Sequence, residues 1–216
     1  QMCIRDRLND ISFAAAHGEK VLLIGRNGAG KTSLLRLINR VYEPESGIVQ
    51  IQGRVVSILR LGLGLDGDLS VRDNVLLYGT LLGMRRRSLL EKRDAVMTAA
   101  GVQDAAGQPL RLLSSGMIQR LAFEVALLVP ADILLLDEIL AVGDELFRRD
   151  VLERLIRPDD ESLTVVFATH NLESVPAEFT KAAWLEDGRI VDYGSADTVI
   201  SAYRESFREP RSTRRP

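Results

Sequence analysis

Gly25-Arg26-Asn27-Gly28-Ala29-Gly30-Lys31-Thr32 restricts what this chain can fold into more than any other stretch. Before it stands Val21–Ile24, a continuous apolar run of the kind that forms a strand buried on both faces. After it, from Lys31 to Arg40, Leu34, Leu35 and Ile38 recur at helical spacing. Strand, glycine-rich loop and helix in that order satisfy G-x-x-x-x-G-K-[ST] in full. Glycines let backbone N–H groups curl around phosphate oxygens, and the helix N-terminus beyond them holds negative charge. Lys31 is placed to reach β- and γ-phosphates and the Thr32 hydroxyl to ligate Mg²⁺, with Ser33 beside them in the nucleotide-binding set.

The rest of the chain alternates between the two periodicities. A strand is expected at Ile11–Phe13, with a turn at His17-Gly18-Glu19, and two strand-like stretches between Ile48 and Leu61 punctuated by Gly53. Val71 to Ala100 reads as helical, interrupted by Arg85-Arg86-Arg87, and Met117 to Leu128 continues the helical pattern. Then come a buried strand at Ile133–Leu136, a helix from about Asp144, a strand at Val165–Ala168, a helix after Asn171 and a hairpin from Trp184 to Tyr193 turning at Asp187-Gly188. Buried strands alternating with helices give an α/β fold with a mainly parallel sheet flanked by helices. A helical insertion over about 71–128 and a small antiparallel β region framing the start of the core complete the expectation.

Two acids extend the phosphate chemistry. Asp137 closes an apolar strand, which fixes a Mg²⁺-holding carboxylate in place. Glu138 follows directly and is placed to orient or deprotonate the attacking water. Without the phosphate loop upstream, the pair would read as the start of a surface loop. His170 ends the next strand; a histidine there is commonly a structural hydrogen-bonder, but beside this system it is read as a γ-phosphate contact. His17, in a turn, carries no such role.

Composition excludes more than it assigns. Lys and Arg number 28 against 30 Asp and Glu, so charge gives no case for nucleic acid or for strong attraction to a membrane surface. The apolar stretch from Leu121 to Gly143 is broken by Glu124, Pro130, Asp132, Asp137 and Glu138, too often to span a bilayer. Arg208, Arg211, Arg214 and Arg215, with Arg204 just before them, make the end basic, and 208–216 is expected to be a flexible, solvated tail. Arg85–Arg87 reads as a solvated turn between helices, with anionic lipid or a permease loop as the alternative. Cys3 is the sole cysteine, which suits a reducing compartment. Met2-Cys3-Ile4-Arg5-Asp6-Arg7 matches the translation of a transposon-end sequencing adapter, so 1–7 is expected to be a fusion scar.

Leu113-Ser114-Ser115-Gly116-Met117, about twenty residues ahead of Asp137, completes a pattern. With the phosphate loop, Asp137-Glu138 and His170, the chain resembles the nucleotide-binding subunit of an ABC transporter from about Leu8 to Tyr203, an ATP-binding domain over 8–207. The tract lies where that family has Leu-Ser-Gly-Gly-Gln; Ser114 and Gly116 match, while Ser115 replaces Gly and Met117 replaces Gln. The resemblance implies an ATPase using ATP and Mg²⁺, with Thr32 and Asp137 as metal ligands and Glu138, His170 and Lys31 as catalytic residues. It implies a head-to-tail homodimer in which Ser114, Ser115 and Gly116 of one copy face the γ-phosphate held by the other. Asp144 would touch the partner copy, and an integral membrane permease would hold the dimer at the cytoplasmic face of the membrane. By itself, the tract is also an ordinary N-cap starting a core helix.

Ser-Ser-Gly-Met, followed by Gln119–Phe123 and by Ile139-Leu140-Ala141-Val142-Gly143-Asp144, is similar to the polysaccharide-exporter branch, which moves O-antigen, capsule or teichoic acid chains. The stretches Leu61–Leu65, Leu69–Val75 and Leu81–Met84 also resemble it. Two family features are missing: no Gln occurs from Gly53 to Gly101 for the Mg²⁺- and permease-sensing position, and the adenine-stacking aromatic should precede Leu8. Phe13 reads as core rather than as that aromatic. The resemblance leaves open a carbohydrate-binding domain beyond Tyr203, either lacking or truncated. The rivals are an ABC-type ATPase for another substrate, a soluble ATPase of the same fold, and a regulatory subunit without turnover. A GTPase is disfavoured by the absence of Asn-Lys-x-Asp.

Overall fold

A computed structural model describes residues 8–58, 61–137, 145–156, 160–172, 175 and 177–207, with the backbone alone at 145–149. The chain divides into two compact units: the described parts of Gln1–Gly53, Leu135–Glu138 and Asp159–Pro216, and those of Arg54–Leu134 and Ile139–Pro158.

The first unit is built on β1 (Lys20–Ile24), α1 (Lys31–Ile38), the end of β3 (Ile133–Asp137), β4 (Thr164–Thr169), β5 (Lys181–Glu186), β6 (Arg189–Ser195) and α6 (Ala196–Glu205). Its strands lie in the order β3-β4-β1-β5-β6. β1 is central and pairs in parallel with both β4 and β5, while β5 and β6 form an antiparallel hairpin. Flanked on both sides, β1 is buried at every position, which is why its sequence lacks alternation. Each fully buried leucine in it contributes about 1.5–3 kcal/mol. The hairpin turns at Asp187 and Gly188, both with positive φ, as the right-handed twist of its strands requires.

α6 packs on β5, β6 and β1 through Ala196, Val199 and Tyr203, one face of three turns. The sequence reading did not single it out. No strand forms at Ile11–Phe13. The segment keeps a strand-like alternation of exposure, with Ile11 and Phe13 half-buried and Ser12 and Ala14 exposed, but it has no ladder. It rests on the hairpin instead: the Asn9 amide donates to Gly188 O at 2.8 Å, Tyr193 donates to the Ala14 carbonyl, and Phe13 meets the Tyr193 ring edge-on at 5.7 Å. The antiparallel ladder is therefore the hairpin's own. Among the described residues between Asn171 and β5 no helix forms, and the Asn171 amide turns back to the Thr169 hydroxyl at 3.0 Å.

The second unit holds β2 (Val55–Ile58), α2 (Val71–Leu81), α3 (Arg86–Ala99), α4 (Ser115–Leu127), the start of β3 and α5 (Glu145–Ile156). Only one strand forms between Ile48 and the residues outside the description at 59–60; Asp132 receives the Arg54 amide at 2.6 Å and aligns β2 with the start of β3. Val71, Val75, Tyr78, Val96, Met97, Leu121 and Val125 interdigitate in its core. Arg85–Arg87 are exposed, and α3 starts inside the run at Arg86. α4 and α5 are joined by Arg154, whose guanidinium grips both Glu124 oxygens at 2.9 and 3.2 Å and lies 4.8 Å from the Phe123 ring.

Loop 61–70 is fixed from α2. Asn74, fully buried, accepts from the Asp66 amide and donates to the carbonyls of Asp66, Leu69 and Ser70. The Tyr78 hydroxyl accepts from the Gly62 amide at 3.0 Å. Among the described residues no helix is long and apolar enough to cross a membrane.

Candidate functional site

The glycine loop leaves the end of β1 and enters α1 directly. Gly25 has no room for a side chain, since a Cβ there would stand 2.2 Å from the Leu185 carbonyl oxygen of β5. Gly28 is glycine for another reason: its φ of 81° disfavours any side chain, while the space outside it is open. That openness is what close approach of a phosphate needs. Gly30 precedes α1 with φ 103° and has no side chain to cap it, and a helix N-terminus of this kind suits an anion. Within the loop the Ala29 amide donates to Arg26 O at 3.1 Å, and the Gly188 amide of the hairpin turn donates to Ala29 O at 3.0 Å. The sequence reading saw Gly188 only as a turn residue; its role in pinning the loop had no local signal. Arg26, Asn27 and Gly28 are exposed on the loop.

Lys31 is 6% exposed. Its ammonium donates to Gly25 O at 2.7 Å and Arg26 O at 3.1 Å, leaving a third donor on the group. Burial lowers its pKa, and the Asp137 carboxylate opposes that shift. A cation held under that strain gains most from an arriving phosphate.

Thr32 and Asp137, 105 positions apart, meet: the Thr32 hydroxyl donates to Asp137 Oδ2 at 2.7 Å. The sequence placed each on its element, and the structure brings them together. A hydroxyl and a carboxylate side by side offer the hard oxygen donors that Mg²⁺ takes alongside phosphate and water. Ser33, next on α1, is buried.

His170 is exposed directly after β4. The β1–β4 register pairs Ile24 with Thr169, so Gly25 and His170 leave the sheet at the same edge. Glu138 and Asp144 lie outside the described residues.

Ser114, Ser115 and Gly116 belong to the second unit. Ser114 caps α4, its hydroxyl accepting from the Met117 amide at 3.3 Å. All three are exposed, and a Cβ on Gly116 would meet nothing within 4 Å. The helix thus starts with its backbone uncovered. The N-cap reading of the tract holds in this geometry.

A buried parallel strand, a glycine loop and a helix whose threonine meets the acid closing another strand define a phosphate-loop protein of the α/β class. The family model for the ABC transporter matches residues 8–141. Over 200 residues the chain is 38% identical to the O-antigen export system ATP-binding protein RfbB of Klebsiella pneumoniae, spanning 93% of this chain and 81% of that one. It is 33% identical over 202 residues to the teichoic acids export ATP-binding protein TagH of Bacillus anthracis, covering 94% of this chain and 37% of that protein. A solved ATP binding subunit of an ABC transporter shares the fold with a TM-score of 0.74 at 22% identity, covering 91% of this chain and 87% of the other. The chain belongs to the ABC transporter family and is an ATPase of the ABC type.

Proposed function

We propose that this chain hydrolyses ATP to drive export of a polysaccharide or lipid-linked glycan through a membrane permease. The 2.7 Å Thr32–Asp137 contact carries the ATPase half of this reading, because it joins the loop that binds phosphate to the acid expected to hold the metal. Identity to ATP-binding proteins of O-antigen and teichoic acid export supports the glycan half.

In this reading the backbone of Gly25–Gly30 cradles the phosphates and Lys31 turns its remaining donor to the β/γ oxygens. Bound Mg²⁺ supplies charge neutralisation at those phosphates, and Thr32 and Asp137 are the side chains that fit it. Glu138 orients water and accepts its proton. His170, leaving the same sheet edge as Gly25, holds the γ-phosphate. Two copies bind head to tail, so that Ser114, Ser115 and Gly116 at the start of α4 face the γ-phosphate of the other copy, with Asp144 at the same junction. Closure on ATP and opening after hydrolysis move the permease, which holds the dimer peripherally at the cytoplasmic face of the membrane.

Glu138→Gln tests the mechanism. It is expected to bind ATP normally, to accumulate as a closed dimer on gel filtration with MgATP, and to hydrolyse it at least 100-fold more slowly, a ratio of the order seen for general-base loss. Hydrolysis at the native rate would remove Glu138 from its role. Co-expression with a candidate permease from its own genome should recover both proteins in one detergent-solubilised complex; consistent failure to co-purify would favour a soluble ATPase.

A further inference from the structure

Arg26 occupies a variable position of the phosphate loop, yet its two halves are tied to different things. Its carbonyl accepts from the Ala29 amide and from the Lys31 ammonium, both at 3.1 Å. Its guanidinium carbon lies 5.6 Å from the centre of the Phe207 ring, just past the end of α6. Phe207 meets Tyr203 edge-on at 4.9 Å, and Tyr203 meets Trp184 edge-on at 5.4 Å. Trp184 is the register partner of Ile24, the last residue of β1 before the loop. Three rings therefore lead from the sheet back to the loop that the sheet launches. Tyr203 is buried, whereas Phe207 is 55% exposed, so Phe207 contributes little to the core. Its distinctive contact is with Arg26.

We propose that Phe207 is a positioning residue for the nucleotide: it seats the Arg26 guanidinium and thereby fixes the carbonyl on which Lys31 rests. A long side chain on an exposed loop loses rotamer freedom whenever the loop is ordered. A planar cation against an aromatic face meets part of that cost before ligand arrives, which preorganises the loop. Lysine, a compact and strongly hydrated charge, would do so less well. The inference rests on the reading of Gly25–Thr32 as the ATP site and adds a residue that the motif does not contain.

The test uses the full chain. ATP affinity is titrated, and KM and kcat are measured with Mg²⁺, for the wild type, Phe207→Ala, Phe207→Tyr, Arg26→Ala and the Arg26→Ala/Phe207→Ala pair, with melting temperatures alongside. Phe207→Ala and Arg26→Ala should each weaken binding and raise KM about three- to fivefold, the order of an exposed cation–π contact. For Phe207→Ala, which lies outside the phosphate loop, the rate at saturating ATP should stay within about twofold of the wild type. The double variant should be no weaker than either single, because the two residues act as one pair, and Phe207→Tyr should restore affinity. Wild-type affinity in Phe207→Ala, a fall in melting temperature with KM unmoved, additive losses in the double variant or failure of Phe207→Tyr to rescue would each overturn the assignment. A wild-type chain that binds no ATP would instead overturn the functional reading beneath it.

Discussion

Lys31 and Asn74 are both polar and both buried, one in each unit, and they are buried in opposite ways. Asn74 exchanges four hydrogen bonds with backbone groups within eight residues of itself, engaging both ends of its amide. Lys31 keeps a full charge against two carbonyls of its own loop, with burial working against its proton. A satisfied buried amide stabilises a fold, while an under-compensated buried cation makes sense only for a ligand that brings negative charge. One unit uses polar burial to hold itself, the other to prepare for something else.

Substitution at each residue should separate the two uses. Lys31→Met is expected to lower ATP hydrolysis by about 100-fold or more, while denaturant titration finds its stability within about 1 kcal/mol of the wild type, because two lost hydrogen bonds are offset by removal of a desolvated charge. A large stability loss would place Lys31 in the same structural class as Asn74. Asn74→Ala should do the reverse: about 3 kcal/mol of stability lost through unpaired backbone groups in loop 61–70, with ATP affinity at low temperature within about twofold of the wild type. If affinity collapsed with it, the two roles would not be separable.

Ser114 tests the second unit at its surface. Ser114→Ala should cost about 1 kcal/mol by loss of the cap, and Ser114→Gly a few tenths. Under the proposed function both should slow hydrolysis beyond what those changes explain; rates that merely track stability would leave Ser114 a cap. The smallest effect is on pH dependence. Burial lowers the pKa of Lys31, so the folded chain releases that proton before the unfolded chain does, and its contribution to stability rises with pH from the lowered value up to about 10.4. Burial raises the pKa of Tyr78, against the lowering effect of the Gly62 amide, so its contribution is present below about 10 and is lost as pH climbs through the raised value. Stability measured by denaturant titration between neutral and alkaline pH should therefore fall more steeply in Lys31→Met than in the wild type, and less steeply in Tyr78→Phe. Parallel curves would refute the assignment of either group.

The phosphate loop was legible because eight consecutive residues carry it and the elements on either side have clear periods. Asp137 was legible by its place after an apolar strand, but its meeting with Thr32 spans 105 positions and came only through family resemblance. Local pattern misled where a partner decides the outcome. Ile11–Phe13 has the alternation of a strand but no ladder to join, and at Asn171 the backbone turns back to a Thr169 side-chain bond. Asn74 looked like any helical asparagine until its three carbonyl partners appeared. The contacts of Arg26 with Phe207 and of Ala29 with Gly188 join distant parts of the chain and leave no trace in either local sequence.

The central position of β1 has a consequence in time. Its partners β4 and β5 lie far downstream, and the amide that pins Ala29 comes from Gly188, later still. At roughly 5–20 residues per second, a ribosome delivers Gly188 about eight to thirty seconds after Ala29. Throughout that interval the glycine loop exists as sequence without its sheet, and closing it demands contacts of very long range, the slow kind to form. The glycine loop therefore cannot take its folded form until Gly188 has been made.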